Sequence, residues 1–370
     1  MIPRPTPQVD AVPASTPFVA PEALARRVGR ESLVRLGANE SAFGPSPRAI
    51  AAMQAALPHT SWYGDPESRD LREALAERHG CAFENIVVGS GIDDLLGLCV
   101  RAFLAPGETA LATRGTYPTF TYHVIGYGGR LATVDARADG SVDIDSLIES
   151  AGAIQPKIVY LANPDNPSGT LVGAVAVERL RAALPAGTLF VLDEAYVDFV
   201  GTMPIVAETI VENTIRMRTF SKAYGLAGAR IAYALATPAI VATFEKIRLH
   251  FGVNRTAQIG ALAALADRAY TVGVAEEVAR GRADYVELGK RLGLPTLASF
   301  TNFVCFRLAS RAHAEAMVGA LLQRGIFVRK PGAPPIDDCI RVTVGTAAER
   351  AAFAAAFAEA LDALREKATR

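Results

Sequence analysis

The chain has 370 residues, of which 38 are Lys or Arg and 38 are Asp or Glu, so its formal net charge at pH 7 is zero. This balance excludes a strongly basic groove for nucleic acid and a cationic surface for acidic membranes, and it predicts small or neutral partners. Half of the residues are apolar, which is enough for one large core or for two domains.

Residues 1–36 are interrupted by prolines and predict an extended arm rather than the continuous apolar segment of a secretory signal. No apolar run approaches the roughly 18 residues needed to cross a bilayer, so we expect no membrane contact. The four cysteines have no C-x-x-C spacing and no neighbouring histidine cluster, so we expect neither a bound metal nor a disulfide framework. These features predict a soluble, cytoplasmic protein.

After the arm, short apolar runs alternate with amphipathic segments through residues 37–254, as in "KIVYLA", "TLFVLDEA" and "RIAYALA". Continuous apolar strands separated by helices are typical of a mostly parallel sheet covered by helices on both faces. We therefore predict an α/β fold for this large domain. Residues 255–370 contain long Ala-rich helical stretches and few strands, which predicts a smaller α+β domain that part of the arm joins.

The first candidate site is the turn in "NIVVGSGIDDLL", where a strand runs through Gly89, Ser90 and Gly91 into a helix. Glycines let the backbone approach a ligand, and the N–H groups that begin a helix bind phosphate. The turn is not the dinucleotide fingerprint G-x-G-x-x-G, because its sixth position is Asp94. A glycine-rich turn without a ligand is the competing interpretation.

Two further strand ends carry polar groups, and ligands of open α/β sheets bind at such ends. In "VYLANPDNPSG" the prolines stiffen a turn from which Asn166 could present its amide, although a merely rigid loop is equally consistent. In "LFVLDEAYVDF" the carboxylates of Asp193 and Glu194 end a fully apolar strand, with Tyr196 close behind. The chain has no P-loop motif, which argues against a P-loop ATPase, and a buried carboxylate here requires a cationic partner.

The fourth strand end is "TIRMRTFSKAYGLAGAR", which delivers Ser221 and Lys222 to the same sheet edge. Most lone lysines are solvated surface groups. Here an amine, a carboxylate, an amide and a phosphate-binding turn converge. Together they suit a cofactor with an aldehyde that lysine holds as a Schiff base, a pyridine nitrogen that Asp193 keeps protonated, and a phosphate.

In "NPDNPSG", "DEAY" and "SKAYGLAGAR", in that order, the chain resembles the aspartate-aminotransferase superfamily of pyridoxal-phosphate enzymes. It is most similar to the histidinol-phosphate aminotransferases, and the similarity continues in "RLGANESAFGPSP", "WYGDPESRDLREALAERHG", "GVNRTAQIGALAAL" and "IRVTVGT". The resemblance implies the fold type I pyridoxal 5′-phosphate (PLP) transferase architecture, a homodimer, and an amino donor and a 2-oxo acid as substrates.

The resemblance also implies the site. Lys222 would form the Schiff base and move the proton, Asp193 would hold the pyridinium proton, and Tyr196 would bond the phenolate oxygen. The cofactor-binding set it implies is Ser90, Gly91, Ile92, Tyr117, Asn166, Asp193, Tyr196, Ser221, Lys222 and Arg230, with Tyr63 of the partner subunit at the phosphate. The substrate-binding set is Asn39, Arg329 and Arg341, in which Arg341 would clamp a carboxylate.

The chain departs from the family pattern at "NESA", where "NENP" is usual, and at Gly91, Ile92 and Asp93, where a more polar run is usual. Histidinol phosphate with 2-oxoglutarate is the predicted substrate pair. The alternatives are an aromatic or broad-specificity aminotransferase and a phosphoamino-acid decarboxylase of the same fold. A nicotinamide-dependent dehydrogenase or a catalytically silent regulatory module would leave Lys222 without a role.

Overall fold

The structure is a computed structural model that describes residues 3–12, 19–203, 205, 207 and 209–368. The predicted arm, 1–36, therefore lies partly outside the described residues. The described helices are α1 Pro7–Asp10, α2 Pro21–Arg27, α3 Pro47–Ala56, α4 Arg69–His79, α5 Ile92–Phe103, α6 Pro118–Gly126, α7 Ile144–Ile154, α8 Ala174–Ala183, α9 Pro238–Glu245, α10 Arg255–Ala266, α11 Arg268–Leu292, α12 Arg311–Gln323 and α13 Ala347–Ala368.

The strands of the described residues form one large sheet and two small ribbons. They are β1 Val34–Arg35, β2 Ile86–Gly89, β3 Thr109–Thr113, β4 Arg130–Val134, β5 Ile158–Ala162, β6 Leu189–Asp193, β7 Thr214–Thr219, β8 Ala232–Leu235, β9 Phe303–Arg307, β10 Ile326–Phe327 and β11 Cys339–Thr343. The large sheet has the order β2-β8-β7-β6-β5-β3-β4. Its neighbours are parallel except that β8 runs antiparallel to both β2 and β7.

Helices cover both faces of this sheet, as its sequence pattern predicts. Alternate residues of β5 face opposite layers: Tyr160 packs with α5 and α6, whereas Val159 and Leu161 pack with α7 and α8. Because both faces are buried, every residue of β5, β6 and β7 is buried, which explains the continuous apolar runs of β5 and β6. In β7 the buried Arg216 and Arg218 alternate with apolar residues. The predicted α/β class with a mostly parallel sheet is confirmed.

Residues Val34 to Asn39 carry the chain from the N-terminal segment into the large domain. Strand β1 pairs in parallel with β10, and Leu36 O then accepts a hydrogen bond of 2.8 Å from Thr343 N at the end of β11. Helices α11, α12 and α13 pack around β9 and β11 in a separate apolar cluster. These contacts place the backbone from residue 37 onward between this cluster and the apolar layers of the large sheet.

The boundaries of the predicted domains, 37–254 and 255–370, stay predictions. One packing feature bears on the second boundary. Helix α10 buries Ala257 and Ala261 in the same apolar cluster as Leu71 of α4 and Val88 of β2, rather than in the cluster of α11 to α13. We therefore propose that the smaller domain begins after α10, at α11.

Candidate active site

The carboxyl ends of β2, β5, β6 and β7 lie at one edge of the large sheet, because these strands point in the same direction. A cavity of about 1030 Å³ opens at this edge. Most of the predicted site residues line this cavity. They come from the segments at the edge of the large sheet and from those beside β10 and β11, and they are Asn39, Ile92, Tyr117, Asn166, Asp193, Tyr196, Ser221, Lys222, Arg230, Arg329 and Arg341.

Lys222 lies inside the cavity rather than on the surface. It follows β7 in the connection to β8, and a hydrogen bond of 3.2 Å from Phe220 N to Ile231 O closes the base of this loop. The side chain is half-buried, and its Nζ donates a hydrogen bond of 3.1 Å to Asn39 O. The same Nζ lies 5.5 Å from the centre of the Tyr196 ring. An amine is thus held in the middle of the site.

The two carboxylates that end β6 have different environments, because successive strand residues point to opposite faces. Glu194 points away from the cavity and forms buried ion pairs with Arg216 at 2.6 Å and with Arg218 at 3.0 Å. It therefore has the cationic partners that a buried carboxylate requires. Its role is structural.

Asp193 lines the cavity and is only 4% exposed. Its oxygens accept hydrogen bonds from Tyr160 Oη at 2.8 Å and from Ala195 N at 3.0 Å, but no described residue forms an ion pair with it. Burial raises the pKa of the Asp193 carboxyl to about 6, although both hydrogen bonds act in the opposite direction. A cation in the cavity would stabilise the ionised form.

The predicted phosphate-binding corner lies where α5 begins, beside the loop that carries Lys222. Gly91 has a φ of 89°, and a Cβ added to it would lie 2.3 Å from Arg230 Nη2. Glycine therefore allows the guanidinium to approach this turn closely. Ser221 and Ile92 line the adjoining wall. Ser90 does not line the cavity, and its N–H donates to Asp94 Oδ2 at 2.9 Å.

The opposite wall holds a pair of arginines on neighbouring backbone segments. Arg329 and Arg341 form an antiparallel bridge in which Arg341 N donates to Arg329 O at 2.6 Å. Arg341 Nη1 also donates to Asn166 Oδ1 at 2.5 Å, which joins the small domain to the loop after β5. Burial lowers the pKa of both guanidinium groups, and for Arg329 the like charge of Arg341 lowers it further.

Comparison with known proteins agrees with this geometry. The family model for aminotransferase class I and II matches residues 31–357. The chain belongs to this family. A histidinol-phosphate aminotransferase from Roseiflexus castenholzii is 36% identical, over 98% of this chain and 97% of that protein. The crystal structure of the Sinorhizobium meliloti histidinol-phosphate aminotransferase with pyridoxal-5′-phosphate is 43% identical, with a TM-score of 0.94 over 98% of this chain and 99% of that one.

The Thermus thermophilus aspartate aminotransferase, at 22% identity and a TM-score of 0.82 over 97% of this chain and 100% of that one, shares the fold. Membership of the class I and II aminotransferases confirms the predicted family, the PLP-transferase fold, aminotransfer as the activity and pyridoxal 5′-phosphate as the cofactor. The role of each site residue stays a prediction.

The residues of this aminotransferase fit the cofactor on two structural observations. Asp193 is a buried carboxylate whose ionised form needs a cation, and a protonated pyridine nitrogen is such a cation. Gly91 leaves the space in which Arg230 approaches the beginning of α5, and a helix N-terminus with a guanidinium suits a phosphate. The amine of Lys222 lies in the same cavity.

Tyr63 does not line the cavity of its own chain. Its side chain is 75% exposed, and its ring lies 4.5 Å from the ring of Phe251, which is itself 53% exposed. Trp62 and Leu249 are also exposed. We refer to these four residues as the apolar patch. Its position agrees with the prediction that Tyr63 acts on another subunit.

Sequence reasoning missed several residues that hold the predicted ones. Asp93 accepts a hydrogen bond of 2.8 Å from Tyr117 Oη, and its Oδ2 lies 3.5 Å from Arg230 Nη2. It therefore connects the predicted ring-stacking residue to the predicted phosphate-binding residue. Tyr160 and Thr343 support Asp193 and Asn39 in the same way. The sequence signal for Asp93 is its place in the first turn of the helix that follows the glycine-rich turn.

The described residues contain neither a metal cluster nor a helix able to span a membrane. Within 3–12, 19–203, 205, 207 and 209–368, no group of His, Cys, Asp and Glu is arranged to hold a metal ion. In the same part of the chain, none of the helices has the length and apolar character that crossing a membrane requires.

Proposed function

We propose that this aminotransferase takes its amino group from histidinol phosphate and gives it to 2-oxoglutarate. The observation that carries the choice of donor is the pair Arg329 and Arg341 on one wall of the cavity. Two adjacent guanidinium groups, each with a pKa lowered by burial, are stabilised best by a group with two negative charges. Arg341 Nε is buried and has no acceptor among the described residues. A phosphate or a carboxylate supplies such acceptors.

Support also comes from the relatives, since both the Roseiflexus castenholzii and the Sinorhizobium meliloti proteins are histidinol-phosphate aminotransferases. The second candidate is an aromatic or broad-specificity aminotransferase. It is favoured by the apolar side chains of Ile125 and Leu131, which line the same cavity and would accept any flat ring.

We assign a separate role in the reaction to each of four residues. When bound, PLP supplies an aldehyde that condenses with amines and a protonated ring that withdraws electrons from the substrate Cα. Lys222 Nζ would hold the cofactor and, when freed, would remove the proton from the substrate Cα. Asp193 would keep the ring nitrogen protonated, and Asn166 and Tyr196 would bind the phenolate oxygen.

The remaining site residues position the reactants. Tyr117 would pack against the face of the cofactor ring, and Arg230 with the turn at Gly91 would bind its phosphate. The direct test of the donor is a half-reaction. Histidinol phosphate should abolish the visible band of the purified holoenzyme, and 2-oxoglutarate should restore it. Reaction with phenylalanine but not with histidinol phosphate would contradict the proposed donor and favour the second candidate.

Arg329→Ala should discriminate among donors. It should lower kcat/KM for histidinol phosphate by about tenfold or more, the loss expected for one charge-assisted contact, and affect glutamate and phenylalanine much less. The measurement is a steady-state comparison of the three donors. Arg311→Ala, at an arginine on the surface of α12 that pairs with Glu315, is the control. Equal losses for all three donors would show that Arg329 has no part in choosing the substrate.

We propose further that the chain is a homodimer in which Tyr63 of the partner subunit reaches the cofactor phosphate. The support is the apolar patch, because soluble monomers rarely expose several large apolar side chains side by side. We also propose a cytoplasmic location, which agrees with the buried thiols of Cys99, Cys305 and Cys339.

Complementation tests this arrangement. Tyr63→Ala and Lys222→Ala chains should each be nearly inactive alone. After mixing and subunit exchange, the hybrid dimer contains one site with both Lys222 and Tyr63, so activity should rise well above that of either variant. An unmixed Lys222→Ala sample carried through the same exchange is the control. Absence of any recovery, in samples that sedimentation shows to have exchanged, would contradict a site shared between subunits.

A further inference from the structure

Asn39 forms hydrogen bonds with Lys222, with Tyr196 and with Thr343 of β11. It is 2% exposed and has a φ of 53°. This left-handed conformation is uncommon for residues other than glycine, and asparagine tolerates it better than most. The conformation turns the main-chain carbonyl towards Lys222 and the side chain towards Tyr196.

Thr343, at the end of β11, determines the direction of the hydrogen bonds at Asn39. The Asn39 N–H can only donate, and it donates to Thr343 Oγ1 at 3.1 Å. The hydroxyl hydrogen of Thr343 is then available for Asn39 Oδ1, also at 3.1 Å. Because Oδ1 is engaged there, Nδ2 faces Tyr196 and donates to its Oη at 2.9 Å. The bonds therefore run in one direction, from Thr343 through Asn39 to Tyr196.

Tyr196 thus accepts a hydrogen bond from Asn39, and its own hydroxyl hydrogen has no acceptor in the described part of the chain. The ring is 3% exposed and lines the cavity, so the hydrogen is directed into the site. We propose that Asn39 is a positioning residue that makes Tyr196 a hydrogen-bond donor towards the cofactor's phenolate oxygen. This inference rests on the proposed function, and it differs from the predicted role of Asn39 in binding substrate.

The main chain of the same residue holds the amine of the reaction. Asn39 O accepts from Lys222 Nζ and from Asn302 Nδ2, each at 3.1 Å. Asn302 precedes β9, and Thr343 ends β11, so both supports come from the small-domain cluster. The phenol of Tyr196 and the amine of Lys222 are therefore held at a fixed separation by one residue that the neighbouring domain anchors.

Asn39→Asp tests the direction of these hydrogen bonds. Aspartate keeps the shape and tolerates a positive φ, but it has no N–H to donate. It would accept the hydroxyl hydrogen of Tyr196 and turn it away from the cavity. The variant should bind PLP about tenfold more weakly. The pH midpoint of the visible absorption change of the bound cofactor should rise by about one unit, because the phenolate oxygen loses a donor.

The charged and titratable groups near Tyr196 are Lys222 and Arg341, with Tyr117 directly before α6; the variant leaves all three in place and adds one carboxyl group. The matched control is Asn213→Asp, which makes the same change at another left-handed asparagine, exposed and before β7. Asn39→Gly, which keeps the positive φ and removes the amide, provides a second variant in case the aspartate variant folds poorly. It should also weaken PLP binding.

Two further changes separate positioning from general stability. Thr343→Val removes the hydroxyl and should reproduce the spectroscopic shift in part, whereas Thr343→Ser retains it and should behave like the wild type. In a Tyr196→Phe background, Asn39→Asp should shift the pH midpoint less than it does in the wild type, because the hydroxyl on which it acts is absent and only the added charge remains.

The outcomes distinguish this inference from the proposed function. A wild type that shows no PLP band, or that does not react with histidinol phosphate, would contradict the proposed function itself. A normal wild type whose Asn39→Asp variant has an unchanged pH midpoint and unchanged PLP affinity would overturn the positioning role. It would mean that Tyr196 donates to residue 39, because an aspartate there would accept that bond equally well. A shift of the same size in the Tyr196→Phe background would also overturn it.

Discussion

Lys222→Ala is expected to lower turnover by about 10⁴-fold or more, because proton transfer by a positioned side chain alone contributes roughly 10²–10⁴-fold and the attachment of the cofactor is lost as well. The variant should still bind PLP, since the turn at Gly91, Arg230 and Asp193 remain. It should lack the visible band of the lysine-linked cofactor. Stopped-flow kinetics and absorption spectra of the reconstituted variant measure both effects.

Lys290→Ala is the matched control for this change. Lys290 lies on the surface of α11, and its side chain is 67% exposed beside Glu287. Its replacement should change neither the spectrum nor the turnover. If Lys222→Ala retained turnover close to that of the wild type, the assignment of Lys222 as the base would be wrong, whatever the spectrum showed.

Asp193→Asn is expected to have opposite effects on function and on stability. With PLP bound, the change removes the anion that faces the ring nitrogen, and the loss of one partner of a buried charged pair costs roughly 3–5 kcal/mol. Affinity for PLP should fall by a factor on the order of 10²–10⁴, and proton removal from the substrate Cα should slow in parallel. Equilibrium binding and single-turnover rates measure these losses.

Without PLP, the same change should stabilise the protein at neutral pH. Burial raises the pKa of Asp193 from 3.8 to about 6, which corresponds to about 3 kcal/mol. Because the folded-state pKa is raised, the contribution of this group to stability is fully present below pH 3.8 and is lost as the pH rises through about 6. The advantage of Asp193→Asn should thus be present at pH 8 and absent at pH 4.

Thermal unfolding of the cofactor-free proteins at the two pH values measures this difference. Asp362→Asn, at a carboxylate of α13 that is 73% exposed, is the control and should leave the melting temperature unchanged. A destabilisation by Asp193→Asn of the cofactor-free protein at pH 8 would show that Asp193 supports the fold rather than awaits a cation.

Much of the fold and of the site could be predicted because both depend on local patterns. Strands β5 and β6 are buried on both faces, so they appear in the sequence as continuous apolar runs. The residues at the ends of β5, β6 and β7, such as Asn166, Asp193 and Lys222, necessarily meet at one sheet edge. Their convergence in one cavity followed from chain direction alone.

The connections among distant segments could not be predicted in this way. Nothing in the sequence near Asp193 or Glu194 indicates that Arg216 and Arg218 pair with Glu194 rather than with Asp193, because this depends on the register between β6 and β7. The bond between Asn39 and Thr343 likewise depends on how residues 34–36 lie between β10 and β11. Such contacts arise from tertiary packing, which neither periodicity nor spacing encodes.

The central claim is that Lys222 is the residue to which the cofactor attaches. Borohydride reduction of the holoenzyme, followed by peptide mapping with mass spectrometry, tests it most directly, because reduction makes the lysine–cofactor linkage permanent. The expected result is a single phosphopyridoxyl group on the peptide that contains Lys222, and no such peptide from Lys222→Ala. A phosphopyridoxyl group on any other lysine in the wild type, or none at all, would contradict the claim.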